Sequence, residues 1–256
     1  MSCHLTFYLK PILFTAIAAI LISCGTSEES AEESDSVYAG DYEHQYYSIT
    51  DTLDEDRELD DLIRPYINKV RDEMDRVLVT NENSAERGRP EGALGNYVAD
   101  ILRSRASGER GHRIHIAVTN NDGLRSSLPA GEITVGMIYE LMPFENTIVI
   151  QKHSGDQILK MADQIAEAGG EAISGMRMQI SDDQASGVMI GSERVDPDQE
   201  YWVATNSWIA DGGGPISALH DPVERHDLDV LVRYAIIDYL NSRSSVSPET
   251  DHRIRS

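Results

Sequence analysis

Three polar turns carry the residue types that could bind a small charged ligand. They run from Asn120 to Arg125, from Pro143 to Asn146 and from Asn206 to Gly214, each at the end of a predicted strand or helix. Turn amides and asparagine side chains can point at a ribose or an anion, and an arginine such as Arg125 can form a forked pair with phosphate. These turns are therefore the candidate binding residues of the chain.

Two of these turns also carry an aromatic residue, Phe144 in the second and Trp208 in the third. Two aromatic rings on separate loops, with asparagine and arginine nearby, could hold a flat base between them. Taken alone, either ring is more often a residue of the core or of a lid. The order and spacing of all three turns are needed to favour the binding interpretation.

The sequence offers no motif that would activate a nucleophile or hold a metal ion. Its eight histidines are scattered and form neither HExxH nor another compact ligand cluster, and CxxC, GxSxG and P-loop motifs are absent. His115 alternates with apolar neighbours in a predicted strand, and His220 and His226 fit loop or helix-cap positions better than ligand positions. We expect no metal and no cofactor in this chain.

Hydrophobic periodicity predicts the elements that position these turns. An apolar face from Leu59 to Met74 predicts a first helix, which Pro65 should kink or restart. A second helix carries its apolar face between residues 94 and 102, and Gly108 should lie just past its end. Both helices should pack an apolar stripe on a neighbour.

Shorter patterns complete one α+β domain, a single mixed α/β unit. Strands are predicted at residues 77–80, 114–118, 147–151, 176–180, 188–190 and 201–206. A short helix should run from Thr134 to Met142, and a capping box of Ser154 and Gln157 should start another. The last helix is predicted to follow Asp227, with a frayed polar end from Ser242.

The start of the chain resembles a lipoprotein signal. Lys10 precedes an apolar run of 11 residues, Ile12 to Ile22, which is too short to span a membrane. The run ends at Ser23 and Cys24, as in a bacterial lipobox, although a secretory signal with a chance cysteine is the alternative. We expect lipid on Cys24 and a place in the cell envelope, on the periplasmic face or the cell surface.

Charge further limits the partners. The 256-residue chain has a formal net charge of −22, which disfavours DNA, RNA and anionic lipid as ligands. Between Gly25 and Asp56 there are eleven acidic residues and no Lys or Arg, a composition that predicts a disordered tether. The expected organisation is a signal peptide at 1–23, a tether at 24–56, a domain at 57–241 and a polar tail at 242–256.

Taken together, the motifs resemble the C-terminal domain of the 5'-nucleotidase family over roughly residues 63–240. "GALGNYVADIL", "NNDGLR", "GEITVGMIYELMPFENTIV" and "TNSWIADGGG" are each similar to a family segment. The resemblance implies that Phe144 and Trp208 stack on the base and that Arg125 holds the phosphate. It also implies that Asn120 and Asn146 belong to the nucleoside pocket.

The chain departs from the family pattern at several positions. The family aspartate that holds the ribose falls on Gly214, and Asp211 is the candidate to compensate. Asp122 replaces a turn glycine, and a family arginine before the second helix has no direct counterpart, which leaves Arg87 and Arg89 as candidate phosphate ligands. Nucleotide affinity or phosphate recognition could therefore differ from that of the family.

The largest departure concerns catalysis. Family enzymes hold two metal ions in a metallophosphatase domain that precedes this one, and the sequence contains none of its motifs. The resemblance therefore implies the nucleotide-binding half of a 5'-nucleotidase, completed by a separate metallophosphatase chain that holds the divalent metals. A stand-alone nucleotide- or nucleoside-binding lipoprotein is the alternative, and a degenerate adhesion or scaffold module is the third interpretation.

Overall fold

The computed structural model describes residues 56–256. Predictions for the signal peptide, Cys24 and nearly all of the tether lie outside these residues. The helices are α1 (Arg57–Met74), α2 (Ala93–Arg110), α3 (Val135–Leu141), α4 (Gly155–Glu167), α5 (Ser207–Ala210) and α6 (Val232–Asn241). The strands are β1 (Val77–Asn81), β2 (Ile116–Thr119), β3 (Gly131–Thr134), β4 (Thr147–Ser154), β5 (Ala172–Ser174), β6 (Met176–Ser181), β7 (Gln184–Ile190), β8 (Glu193–Arg194), β9 (Glu200–Asn206), β10 (Glu224–Leu231), β11 (Ser245–Val246) and β12 (Ile254–Arg255).

A five-stranded sheet in the order β10-β4-β9-β2-β5 forms the centre of the domain. Strands β2 and β9 are parallel, whereas β4 runs antiparallel to β9 along seven residue pairs from Ile148–Asn206 to Ser154–Glu200. Helices and two smaller sheets, β11-β1-β3 and β12-β6-β7-β8, complete the mixed architecture. The α+β prediction is confirmed.

Apolar side chains project from both faces of the central sheet. Ile116 and Val118 of β2 enter the core that also contains α4, β6 and β7, whereas Ala117 between them faces the core of α2, α3 and α6. This alternation is the two-residue period of a strand with both faces buried. Because both faces of the sheet are covered, the ends of its strands and the turns at those ends are the parts that remain exposed.

Helix α1 is continuous, and it is exposed along most of its length. Pro65 lies inside the helix without interrupting it, so the predicted restart does not occur. None of its residues is buried, and six apolar side chains are exposed to between 41% and 70%: Leu59, Leu62, Ile63, Tyr66, Ile67 and Val70. Met74, at the end of the predicted stripe, is partly buried against the core of α2, α3 and α6, whereas the rest of the stripe has no covering element among residues 56–256. No helix in this part of the chain is long and apolar enough to cross a membrane.

The start of α4 agrees with the prediction from local sequence, whereas the end of α2 does not. The capping box of Ser154 and Gln157 begins α4 as predicted. Helix α2, however, continues beyond Gly108 and ends at Gly111, which adopts the left-handed conformation with φ of 71°. The prediction of Gly108 as the terminator is wrong: the exposed Gly108 is tolerated inside the helix, and the left-handed residue that ends it is Gly111.

The segment after His220 contains a strand that the sequence analysis assigned to a helix. Residues 224–231 pair with β4 as an edge strand, and α6 begins only at Val232. The predicted helix start after Asp227 is wrong. Leu228 and Leu231 fit a helical spacing, but Leu228 and Val230 also alternate with aspartates as in a strand.

The predicted frayed end is wrong as well. Ser245 and Val246 pair in parallel with β1, and Ile254 and Arg255 pair in parallel with β6. Arg253 is buried and donates hydrogen bonds to Asp100, at 3.0 and 3.1 Å. These contacts join residues far apart in sequence, so the polar composition of this segment could not reveal them.

Candidate functional site

The three polar turns meet at one edge of the central sheet. The first turn follows β2, and the third follows β9. The two strands are parallel, so their carboxyl ends lie at the same edge. The second turn precedes β4, which is antiparallel to β9 and therefore begins at that edge. The sheet topology thus brings the second turn together with the first and third, which begin more than eighty residues apart in the chain.

A cavity of about 270 Å³ lies where these turns meet. Its lining contains five of the predicted site residues, Asn120, Arg125, Phe144, Asn146 and Trp208, together with Asp122 and Gly123. The aromatic side chains of Phe144 and Trp208 remain 42% and 45% exposed. Neither ring is therefore a core residue, and both are available to a ligand.

Asn206 connects two of the turns. Its side chain is buried, and its Nδ2 donates to Thr119 Oγ1 at 2.9 Å and to Asn120 Oδ1 at 3.0 Å. Its Oδ1 accepts the backbone N–H of Ile209 at 3.0 Å and thereby caps α5. One asparagine thus fixes the position of Asn120 and of the short helix that carries Trp208. Its place in the third turn was visible in sequence, but its partners, Thr119 at the end of β2 and Asn120 in the first turn, were not.

Two glycines pack closely against Trp208, which lines the cavity. A Cβ on Gly213 would lie 2.3 Å from two ring carbons of Trp208, and one on Gly214 would lie 2.9 Å from a third. The backbone N–H of Gly213 also donates to the carbonyl of Trp208 at 2.8 Å. The glycine loop therefore covers part of the indole and leaves the rest to line the cavity. Glycine at 214 has a packing role here.

The Phe144 turn is held from α6. Arg233 Nη1 donates to the carbonyl of Phe144 at 3.2 Å, and the N–H of Val232 donates to the carbonyl of Asn146 at 2.9 Å. The buried Arg233 guanidinium also stacks on Tyr139, 4.7 Å from the ring centre. The role of Arg233 could not be predicted from sequence. The predicted helix began after Asp227, which placed Arg233 within it and not at its start.

Arg125 supplies the positive charge of the cavity. Its backbone N–H donates to the carbonyl of Leu141 at 2.9 Å, and its Nη1 reaches the carbonyl of Asp122 at 3.4 Å. No carboxylate of residues 56–256 forms an ion pair with its guanidinium, although the exposed Asp122 lines the same cavity. Arg125 therefore retains donors for an anionic ligand.

Arg87 and Arg89 lie at a neighbouring cavity of about 260 Å³, which also contains Asp122. Arg89 donates to Glu171 at 3.0 Å and to the carbonyl of Gly170 at 2.6 Å. Arg87 is more exposed and reaches Asp122 at 3.9 Å. Arg89 is thus engaged in the structure of the turn, while Arg87 is the more available cation.

Glu171 holds the first turn through a hydrogen bond. Burial raises the pKa of its carboxyl, opposed by a hydrogen bond from the backbone N–H of Asn121 and by the Arg89 guanidinium. Asn121 is itself buried, and a Cβ on Gly95 of α2 would lie 2.9 Å from its Oδ1. The glycine at position 95 therefore allows α2 to pack against the turn.

The structure does not bring Asp211 into the cavity. Its carboxylate pairs with Arg225 of β10 at 2.7 Å and is not among the lining residues. Arg225 also holds Asp227, at the same distance. The sequence offered Asp211 as a ribose ligand from its proximity to Gly214, but the partner from β10 determines where this side chain points.

A family model described as the C-terminal domain of 5'-nucleotidase matches residues 73–221. The chain belongs to the 5'-nucleotidase family.

Similar proteins are longer than this chain. It is 30% identical over 179 residues to the trifunctional nucleotide phosphoesterase YfkN of Bacillus subtilis, covering 63% of the chain and 12% of that protein. It is 26% identical over 216 residues to a 5'-nucleotidase of Vibrio parahaemolyticus, covering 80% of the chain and 38% of the relative.

A solved relative has the same fold. The crystal structure of a 5'-nucleotidase precursor from Thermus thermophilus superposes with a TM-score of 0.67 and 26% identity, over 78% of this chain and 43% of that one. The 5'-nucleotidase domain described here thus spans less than half the length of these relatives.

Among residues 56–256, no group of three or more His, Cys, Asp or Glu is arranged to hold a metal ion.

Proposed function

We propose that this 5'-nucleotidase domain binds a nucleoside 5'-monophosphate in the cavity between its three turns. The base would stack between Phe144 and Trp208, and Arg125 would hold the phosphate through charge-assisted hydrogen bonds. The observation that supports this most directly is the convergence of two exposed aromatic rings and one arginine without a carboxylate partner among the described residues. Asn120 and Asn146 add polar groups for the nucleoside.

We further propose that the domain is the nucleotide-binding half of an extracytoplasmic 5'-nucleotidase whose hydrolytic half is a separate metallophosphatase chain. The partner would hold the divalent metal ions and activate the attacking water. This chain would supply base stacking and phosphate binding while anchored to the membrane by lipid on Cys24. The described residues offer no ligand set for the metals.

Helix α1 is the surface proposed to meet this partner. The matched family model is a C-terminal domain that begins at residue 73, and α1 comes before it in the sequence. Helix α1 therefore lies at the end of the domain where the longer relatives have additional sequence. Its apolar stripe comprises Leu59, Leu62, Ile63, Tyr66, Ile67 and Val70. An exposed stripe of this length is typical of a protein contact.

Ligand binding is tested by calorimetry with adenosine and AMP. Trp208→Ala should weaken both ligands by on the order of tenfold or more, because stacking is worth about 1–3 kcal/mol per base. Arg125→Ala should weaken AMP alone, since adenosine lacks the phosphate. Tyr66→Ala, an exposed aromatic residue outside the cavity, is the matched control. Unchanged adenosine affinity in a folded Trp208→Ala protein would exclude the stacking role.

The half-enzyme proposal is tested by phosphate release from AMP, with this chain alone and with an exported metallophosphatase added. Only the mixture should release phosphate. Leu62→Glu should abolish complex formation and release while AMP binding by this chain is retained, whereas Asn68→Glu on the opposite face of α1 should change neither. Nucleotide binding without any complex or release would favour a stand-alone binding protein instead.

A further inference from the structure

A second polar cavity, of about 350 Å³, lies apart from the nucleotide cavity and shares no lining residue with it. It is formed where α2 and β6 meet the chain end. Its lining consists of Asp100, Arg103, Arg113, Gly175, Met176, Arg177, Gly191, Asp251 and Arg253. Four arginines and two aspartates therefore face one space, in a chain whose overall charge is −22.

Two neighbouring glycines, Gly175 and Gly191, lie next to two of these arginines. The N–H of Gly191 donates to the carbonyl of Gly175 at 3.2 Å, which places the two residues side by side. A Cβ on Gly175 would lie 3.2 Å from Arg103 Nη1, and one on Gly191 would lie 3.5 Å from Arg113 Nη2. The two guanidinium groups thus approach the same glycine pair from different elements of the fold.

The other two arginines are already engaged. Arg253 donates to Asp100, to Asp251 at 2.8 Å and to the carbonyl of Ile173 at 2.8 Å. Arg177 donates to the side chain and the carbonyl of Asp251, both at 3.2 Å. The two aspartates of the cavity are therefore used to hold these two arginines.

Arg103 and Arg113 retain donors toward the cavity. Arg103 uses only its Nε, which donates to Ser174 Oγ at 2.8 Å. Arg113 is exposed, and its side chain makes no hydrogen bond or ion pair with residues 56–256. Neither has a carboxylate partner in this part of the chain, so the cavity carries two uncompensated positive charges. An anion bound between the two groups would offset this excess of positive charge.

We propose that this cavity binds a small dianion of the phosphate class. Guanidinium groups match the geometry of phosphate oxygens, and two of them offer enough donors for several charge-assisted hydrogen bonds. Because Arg253 and Asp251 also line the cavity, the anion would stabilise the docking of the chain end on β6. The proposal does not depend on the nucleotide site.

The test uses inorganic phosphate and the full chain carrying Arg125→Ala, so that the nucleotide cavity does not contribute. Calorimetry should show saturable binding, and the event assigned to this cavity is the one that adding Arg113→Gln or Arg103→Gln weakens by on the order of tenfold. Adding Arg76→Gln, which removes a charge elsewhere on the surface, should leave it unchanged. Without phosphate, Arg113→Gln should not lower the thermal midpoint, because the removed charge has no partner.

Hydrogen exchange gives an independent readout. Phosphate should slow exchange of the backbone amides at residues 253–255 in the Arg125→Ala chain but not after Arg113→Gln is added. The proposal is overturned if Arg125→Ala protein binds no phosphate, or if Arg113→Gln and Arg76→Gln affect binding equally. Binding to phosphatidylglycerol vesicles without binding of free phosphate would also overturn it, since the ligand would then be a membrane surface.

Discussion

The two aromatic residues of the proposed nucleotide cavity are held in different ways. Trp208 is fixed within its own segment, by the Asn206 cap before it and by the glycine loop after it. Phe144 depends on another element, because its turn is tied through backbone carbonyls to the start of α6. One ring is thus supported by close backbone packing, and the other by a side chain that reaches across from a helix.

This difference indicates that the two sides of the cavity respond differently to substitution. The Trp208 side tolerates no added atoms, because the space behind the indole is already filled. The Phe144 side depends on hydrogen bonds and on a stacked cation, which can be weakened without a steric clash. We therefore expect larger effects of mutation on the Trp208 side.

Asn206→Ala should have the largest effect. It removes a helix cap and leaves the groups of Thr119 and Ile209 without their partner in a buried setting. The expected loss is roughly 2–4 kcal/mol in the free energy of unfolding, measured by urea denaturation. Adenosine affinity of the folded fraction should fall as well, because Asn120 and Trp208 lose a shared support.

Asn206→Asp is the matched control for this change. It keeps the acceptor that caps Ile209 but removes the donor to Thr119 and Asn120. Its stability should lie between those of the wild type and Asn206→Ala. Equal stability of all three proteins would show that the network contributes nothing and that the Trp208 side is not the more rigid one.

Gly213→Ala should weaken both binding and stability. The added methyl group would overlap the indole at 2.3 Å and push the ring from its position, and it would also lie 2.6 Å from the Trp208 carbonyl oxygen. Adenosine affinity should fall by about tenfold, comparable to the loss of stacking itself, as measured by calorimetry. In a Trp208→Ala background the same change should no longer affect adenosine affinity, although the methyl group would still lie 2.6 Å from the carbonyl oxygen of residue 208 and lower stability. Additive effects in this double-mutant cycle would mean that Gly213 acts independently of the ring.

The sequence predicted the position of the cavity because its residues follow directly from strand ends. The turns after β2 and β9 and the turn before β4 could each be recognised locally, and their proposed roles come from the family resemblance. Asp211 shows the limit of such reasoning. Its neighbours in sequence suggested a ligand, but Arg225 lies on a strand that the hydrophobic spacing had assigned to a helix.

The same limit applies to the supporting residues. Local patterns identified the capping box at Ser154, where both partners lie within one helical turn. They could not identify Arg233 as the support of Phe144 or Arg253 as a buried anchor of the chain end, since their partners lie far away in sequence. Sequence thus indicates which residues meet a ligand more readily than which residues hold them in place.

Arg233→Lys should have the smallest effect, and it tests the Phe144 side. Lysine keeps the positive charge but cannot stack its planar group on Tyr139 or reach the Phe144 carbonyl with the same geometry. The Phe144 turn remains tied by the Val232 N–H, so we expect adenosine affinity to fall by only about threefold, equivalent to about 0.7 kcal/mol. Glu145→Gln is the control, because this carboxylate lies 3.6 Å from Arg233 but is 85% exposed and should contribute little. An Arg233→Lys loss as large as that of Gly213→Ala, in protein of unchanged thermal midpoint, would show that the two sides of the cavity are equally sensitive and that the contrast between them is wrong.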